Sequence, residues 1–222
     1  MKKKNIILII SYVFFMFVFP ALAVLIGIES TNWFWLALIG MSIVFLIALT
    51  LYNNLLKKHF IELKQKTSIM PFLIRIILGY VFIVIIRNLL FQIFGPYIDF
   101  DKLGVNQKTV TEMIELFPLY TTFFMVVLFA PLVEELIYRH SIIGSPKLVS
   151  KKSKILMTVL SIILFTGFHM TTLSDAIGYL PACLVITYFY WKYERNVVAS
   201  MSFHFFNNLI GWLMIVFNIN IN

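Results

Sequence analysis

Apolar runs long enough to cross a bilayer constrain this chain more than any other feature. A transmembrane helix needs about 20 predominantly apolar residues. Runs near that length lie at Asn5–Ile28, Trp33–Leu55, Met70–Phe94, Leu116–Ile137, Ile155–Met170, Ile177–Trp191 and Val197–Asn218, the fifth and sixth being short. Of the 222 residues, 61% are hydrophobic and 13% are charged, whereas soluble domains have about 45–50% and about 25%. The sequence therefore predicts an all-α, polytopic helical membrane protein with about seven transmembrane helices.

The charges between these runs predict the topology. The connections after the second, fourth and sixth runs are rich in lysine, and the others are neutral or acidic. Because cytoplasmic loops carry the excess of Lys and Arg, the N-terminus is predicted to be cytoplasmic and the C-terminus external. The formal charge of +8 thus reflects membrane topology, and we expect the lipid bilayer, not nucleic acid, as the partner of these cations.

Other features narrow the class further. The first residues, three lysines followed by an apolar run and Ala21-Leu22-Ala23, imitate a signal peptide, but the run is long enough to remain as an anchored first helix. The single cysteine, Cys183, excludes an internal disulfide and is interpreted as a core residue. We find no internal repeat. We divide the chain into residues 1–115, with three helices and an external loop, and residues 116–218, a four-helix core.

Two adjacent carboxylates interrupt the fourth run. Glu134 and Glu135 are followed by Arg139, and each ionisable group at membrane depth costs about 2.5–3.5 kcal/mol on insertion scales. Residues four apart share a helix face, so Glu135 and Arg139 are predicted to form an ion pair, while Glu134 points elsewhere. Our hypothesis is that Glu134 is the reactive carboxylate. The alternative is that both acids lie at the cytoplasmic interface and contact headgroup water.

Polar residues in two later runs could complete a site. His169 lies four residues after Phe165, and His204 lies four residues before Asn208, which puts an imidazole and a carboxamide on one helix face. Such donors could hold a developing oxyanion, although interhelical hydrogen bonding, worth about 0.6 kcal/mol on average, would also explain them. In straight helices perpendicular to the membrane, His169 would lie at a different depth from Glu134, so a site requires a tilted fifth helix or one that starts outside the hydrocarbon.

These residues contain the parts for hydrolysis of a peptide bond: a carboxylate to deprotonate water, a histidine to assist it, and a donor pair for the oxyanion. No serine lies in a nucleophile-elbow motif.

The order and spacing of the three motifs resemble the Abi, or CPBP, family of intramembrane proteases, which includes the type II CAAX prenyl endoproteases and bacteriocin-immunity proteins. The motifs are Glu134-Glu135-x-x-x-Arg139, Phe165-x-x-x-His169 and His204-x-x-x-Asn208, within residues 116–218. The resemblance implies that Glu134 in the first motif corresponds to the family's water-activating glutamate. It also implies that His169 in the second motif corresponds to the histidine that assists this glutamate. It also implies an oxyanion role for His204 and Asn208 and a supporting ion pair of Glu135 with Arg139.

The resemblance leaves the cofactor open. Glu134, His169 and His204 could supply three ligands to a catalytic zinc ion, which commonly keeps its fourth position open. We favour metal-free, glutamate-type catalysis, because Arg139 disfavours a nearby dication and no His-Glu-x-x-His helix is present.

The substrate is expected to be a membrane-associated peptide or protein, reached from the cytoplasmic side of the cell membrane. A chain rich in Lys, Asn, Ile and Phe with one cysteine suggests a low-GC bacterium and its plasma membrane. A bacteriocin precursor, a pheromone precursor or a signalling protein is therefore favoured over a prenylated protein. Two alternatives remain: a non-catalytic immunity or regulatory protein that binds a partner, and a proton-coupled transporter, which also uses buried Glu and His.

Other polar residues compete for a role. Arg75 is predicted to snorkel from its helix end, whereas Arg87 is a candidate to pair with an acid or to bind a substrate carboxylate. His140 is placed just outside the fourth helix and His59 in a basic loop, and both are predicted to be interfacial.

Overall fold

The computed structural model describes residues 2–28, 33–97, 105–144, 150–170, 172 and 175–217. These residues form eight helices and no strand. The helices are α1 (Lys3–Leu25), α2 (Trp33–Lys66), α3 (Ile69–Phe94), α4 (Val105–Leu116), α5 (Leu119–Ile143), α6 (Lys151–Phe168), α7 (Asp175–Lys192) and α8 (Val197–Val216). The predicted all-α fold is confirmed. A helix is the natural solution for such a chain, because lipid offers no hydrogen bonds to an exposed backbone.

Five of the described helices, namely α1, α2, α3, α5 and α8, are long and apolar enough to cross a membrane. The protein is therefore a multi-pass membrane protein. Helices α6 and α7 have 18 residues each, close to the lower limit of about 17 residues for a span. The count of about seven spans and the cytoplasmic N-terminus stay predictions.

Helix α5 lies at the centre of the bundle. In the apolar 18-residue stretch of α5, 56% of the residues are buried, whereas 17% are buried in the corresponding stretches of α1 and α3. Helices α1, α2, α6 and α8 all contact α5, and α7 packs on α3, α6 and α8. The outer helices expose large apolar side chains such as Leu78 and Ile85, as expected where the surface meets lipid. Side chains that point inward from α5 are consequently withdrawn from both lipid and water.

Two predicted helix ends were wrong. Helix α5 continues past Ile137 to Ile143, because its polar side chains have buried partners and so do not end the helix. Helix α2 continues to Lys66, well beyond the predicted Leu55. His140 and His59 therefore lie inside helices. The third connection, predicted as an external loop, contains the short helix α4, while residues 98–104 lie outside the described part of the chain.

The connection between α7 and α8 fixes the position of α8. Glu194 and Arg195 adopt positive φ angles of 55° and 66°, and Arg195 Nη2 donates to the carbonyl of Ile143 at 3.1 Å. The side chain of Asn196 caps α8 by accepting from Ala199 N at 3.1 Å and donates to the carbonyl of His59 at 2.7 Å. The start of α8 is thereby tied to both α2 and α5.

Candidate active site

Helix α5 is not a regular α-helix where it carries the first motif. Residues Glu135–Ile143 form a π-helix of nine residues, and Gly144 N donates to the carbonyl five residues earlier, that of Arg139, at 2.8 Å. A second π-helix, Phe123–Phe129, precedes Pro131. Pro131 lacks a backbone N–H and tends to loosen a helix, and the widened turns lie on both sides of it. Short π-helical stretches are frequent at functional sites.

The predicted ion pair between Glu135 and Arg139 is present. Arg139 Nη1 lies 3.2 Å from Glu135 Oε1, and both side chains are fully buried. The geometry is that of an ion pair and not of an aligned hydrogen bond, since Nη1 has no hydrogen-bond partner. Arg139 Nη2 lies 3.3 Å from the Cys183 carbonyl and 3.4 Å from Thr187 Oγ1. A buried charge pair is tolerated when such additional partners are supplied.

The guanidinium of Arg139 also lies over an aromatic ring. Its central carbon is 4.5 Å from the ring centroid of Phe165, a cation–π arrangement. Because Phe165 stacks on His169 at 4.5 Å, this ring connects the supporting pair to the second motif.

His204 reaches the same carboxylate from α8. Its Nδ1 lies 3.1 Å from Glu135 Oε1. A carboxylate held ionised beside Arg139 can only accept a hydrogen bond, so Nδ1 of His204 carries the proton. The opposite ring nitrogen, Nε2, then faces Glu134 Oε2 at 3.8 Å. Glu135 therefore fixes the orientation and tautomer of His204.

His169 is oriented in the same way by a backbone group. It lies at the end of α6, and its Nδ1 donates to the carbonyl of Phe165 at 2.7 Å. Its Nε2 lies 3.6 Å from Glu134 Oε2. In straight helices perpendicular to the membrane, the sequence pattern would place His169 and Glu134 at different depths. The position of α6 along α5 removes this difference. Ser161 Oγ donates to the Tyr138 carbonyl at 2.7 Å, so the first turns of α6 extend past Ile143 and its end reaches the level of Glu134.

Glu134 is thus the point where the two histidines converge. The residue is only 5% exposed, and its Oε2 is buried without a hydrogen-bond partner among the described residues. When His169 and His204 are neutral, with their protons on Nδ1, each presents a lone pair toward this oxygen. Three acceptor atoms that face one another need a donor between them, and a water molecule or a shared proton would satisfy that need.

Asn208 lies one turn after His204 on α8. Its Nδ2 donates to the carbonyl of Val126 at 3.0 Å, and its Oδ1 accepts from Asn207 Nδ2 at 3.2 Å. One N–H of the Asn208 carboxamide is used by Val126 of α5, which leaves the second N–H to donate elsewhere. The expected oxyanion role of this residue stays a prediction.

The donor set for the alternative zinc site is brought together. Two ligands of one tetrahedral zinc ion, each bound at about 2.0–2.2 Å, lie about 3.3–3.6 Å apart, and Glu134 Oε2 lies 3.6 Å and 3.8 Å from the two histidine nitrogens. As these side chains are arranged, no group of three or more His, Cys, Asp or Glu in the described part of the chain forms a metal site. Metal-free catalysis stays a prediction, with zinc as the alternative.

Two tyrosines near Glu134 were missed by the sequence reasoning. Tyr138 on α5 and Tyr12 on α1 interact with each other and with the Glu134 carboxylate, and both are buried. Tyr138 follows Glu134 by four residues, a spacing that could have indicated it. Tyr12 carries no such signal, because its proximity arises only from the packing of α1 on α5.

Comparison with known families places these residues in one segment. The family described as type II CAAX prenyl endopeptidase, Rce1-like, matches residues 116–210. This segment contains every candidate site residue, and the match confirms the resemblance that the three motifs predicted. It supports intramembrane endopeptidase activity in general. No curated protein and no solved structure gives a significant match to the chain.

Proposed function

We propose that this protein is a glutamate-type intramembrane endopeptidase in which Glu134 activates the water that attacks a peptide bond. The observation that carries the proposal is the convergence of two oriented imidazoles on one buried carboxylate oxygen that has no hydrogen-bond partner of its own among the described residues. A general base must lie within hydrogen-bond reach of its proton, directly or through one water. A water between Glu134 and the histidines would meet that condition.

The chemical step begins with proton transfer. Glu134 takes a proton from water as the water oxygen bonds to the scissile carbonyl carbon, which leaves a tetrahedral intermediate with a negative oxygen. His169 Nε2, held by the hydrogen bond of Nδ1 to the Phe165 carbonyl, can accept a second hydrogen bond from the same water and align it. Collapse of the intermediate breaks the C–N bond, and the proton that Glu134 took from the water passes to the leaving amine, directly or through His169.

An oxyanion role for His204 requires an N–H on Nε2. Since Nδ1 already donates to Glu135, His204 can donate from Nε2 only as an imidazolium. An imidazolium at His204 beside Asn208 would supply two donors for the oxyanion, and such donors act most strongly where water is excluded.

The proposed substrates are membrane-associated peptides or proteins of a bacterial plasma membrane, such as a bacteriocin precursor, a pheromone precursor or a signalling protein. The proposal is supported by the burial of the site in the helix bundle, since a soluble protein could reach it only by entering the membrane.

A cleavage assay with a matched control tests the proposal. Purified protein in nanodiscs is incubated with a library of membrane-inserted peptides, with and without a strong chelator, beside Glu134→Gln and Glu62→Gln. Glu62 pairs with Lys58 on the exposed end of α2, so its substitution removes a carboxylate away from the site. We expect Glu134→Gln to lose cleavage by at least about 10³-fold, Glu62→Gln to retain it, and chelation to leave it unchanged.

Each other outcome has a distinct meaning. Cleavage that survives in Glu134→Gln would contradict the mechanism. Cleavage that is lost on chelation and restored by zinc would contradict its metal-free form and make Glu134, His169 and His204 the ligands to test. In-cell function that persists in Glu134→Gln at normal abundance would instead favour a non-catalytic protein that binds a partner.

A further inference from the structure

Among the described residues, Arg87 is an intramembrane cation for which no ion pair is found. It lies in α3, the helix of an apolar candidate span. Its Nη2 donates to the carbonyl of Gly178 at 2.8 Å, but its Nε is buried without a hydrogen-bond partner in the described part of the chain. Because a charge at membrane depth is costly, an arginine in this state would be stabilised by binding an anion.

The other arginines of the membrane helices are satisfied differently. Arg139 has Glu135 at 3.2 Å. Arg75, on the same helix as Arg87, lies near the helix start and donates to Tyr193 Oη at 3.1 Å and Thr67 Oγ1 at 3.3 Å. Arg87 differs from both in that its only acceptor among the described residues is a backbone carbonyl. Arg139 also has a buried Nε without an acceptor, but a carboxylate lies beside it. Arg87 is therefore the arginine best prepared to receive an anion.

Two contacts connect Arg87 to the candidate active site. Gly178, its acceptor, is adjacent to Tyr179, whose ring centroid lies 5.4 Å from that of His169. Arg87 is also within electrostatic reach of Tyr179 and Tyr80. The guanidinium is thus hydrogen-bonded to the first turn of α7, and the next residue of that helix contacts His169.

We propose that Arg87 is a substrate-recognition residue that binds a carboxylate of the substrate peptide, either an acidic side chain or a C-terminal carboxylate near the scissile bond. A guanidinium presents its N–H groups as a planar fork that matches a carboxylate, and Nε with one Nη group is the edge that remains for it. The burial of Nε between protein helices favours a bound peptide over a lipid phosphate. The inference rests on the proposed function, since it concerns the substrate of that site.

Side-chain NMR of the arginines tests this at the residue itself. The chain has four arginines, Arg75, Arg87, Arg139 and Arg195, so the Nε–H signals of ¹⁵N-arginine-labelled protein can be assigned by substitution. The probes are decanoyl-Leu-Leu with a free carboxylate and the same compound with a C-terminal carboxamide. They are titrated into Glu134→Gln protein in neutral phosphatidylcholine nanodiscs, where no cleavage can follow.

We expect the acid probe, and not the amide, to shift the Arg87 Nε–H signal. Arg87→Gln should remove the preference for the acid, with affinity falling about tenfold or more, as for loss of a charged hydrogen bond. Arg75→Gln is the matched control and should retain it. Equal effects of the two probes, or no shift by either, would overturn the inference.

A shift produced by phosphatidylglycerol nanodiscs without any probe would also overturn it, because Arg87 would then be a lipid contact.

The failure of this inference is distinguishable from that of the proposed function. If Arg87→Gln in the otherwise unmodified protein cleaves acidic and amidated peptides with unchanged selectivity, only the role of Arg87 is wrong. If the binding preference persists while Glu134→Gln still cleaves, only the catalytic assignment is wrong.

Discussion

The two adjacent glutamates occupy contrasting environments in one buried cluster. Glu135 has a guanidinium at 3.2 Å and an imidazole N–H at 3.1 Å on the same oxygen, and Ser200 also approaches it. Glu134 has two imidazole nitrogens at 3.6 Å and 3.8 Å and no hydrogen bond to Oε2. One carboxylate is neutralised at close range, while the other has capacity left for water. Their separation of about 100° on the helix places them in different surroundings, as the proposed division between a structural and a reactive carboxylate requires.

The largest effect is expected from removal of the cation that neutralises Glu135. Arg139→Met keeps side-chain volume but leaves Glu135 buried and unpaired, which should lower the free energy of unfolding by about 3–5 kcal/mol. Thermal or denaturant unfolding in detergent would measure it. Arg75→Met is the matched control, because Arg75 donates only to hydroxyl groups. Equal stability of Arg139→Met and Arg75→Met would contradict the interpretation that Arg139 neutralises a buried Glu135.

A smaller effect is expected from Asn208→Ala, which removes one proposed oxyanion donor. Loss of such a donor typically lowers kcat by about 10²–10³-fold. The measurement is kcat and KM on a peptide identified in the library, with Asn207→Ala as control. A change in KM alone would contradict the oxyanion role and would instead indicate that Asn208 orders α5 through Val126.

The smallest effect is expected from the tyrosines. Tyr138→Phe removes a hydroxyl within electrostatic range of Glu134, and we expect an effect of about 1 kcal/mol, which corresponds to roughly a fivefold loss of kcat/KM. Tyr12→Phe should behave similarly. Tyr120→Phe, at an exposed position of α5, should have no effect. If Tyr138→Phe and Tyr12→Phe both kept full activity, the tyrosines would have no role in catalysis, and the contacts of Glu134 that matter would be those with the histidines.

The sequence contained most of the cluster but not its geometry. Glu135 and Arg139 could be paired from their spacing, and His204 could be grouped with Asn208, because i, i+4 neighbours are set by local helix geometry. The approach of His169 to Glu134 depends on how far α6 extends past α5, which is a property of tertiary packing. Tyr12 could not be found for the same reason.

Helix ends were predicted less well where polarity and burial conflict. The predicted fourth helix ended at Ile137 because the polar residues that follow lower the local hydropathy, yet Arg139 is fully buried and the helix continues through it. The predicted second helix ended at Leu55, but a helix of 34 residues, about 50 Å long at 1.5 Å per residue, continues outside the hydrocarbon. Hydropathy locates the bilayer, and helices can extend beyond it.

The most direct test of the account compares Glu134→Gln with Glu135→Gln in both stability and cleavage. If Glu134 is the reactive carboxylate, Glu134→Gln unfolds at a temperature close to that of the unmodified protein and has lost cleavage. If Glu135 is the structural one, Glu135→Gln unfolds at a clearly lower temperature, because Arg139 then lacks its counter-charge. If Glu135→Gln is stable and inactive while Glu134→Gln is unstable or still cleaves, the roles assigned to the two carboxylates are reversed and the account is wrong.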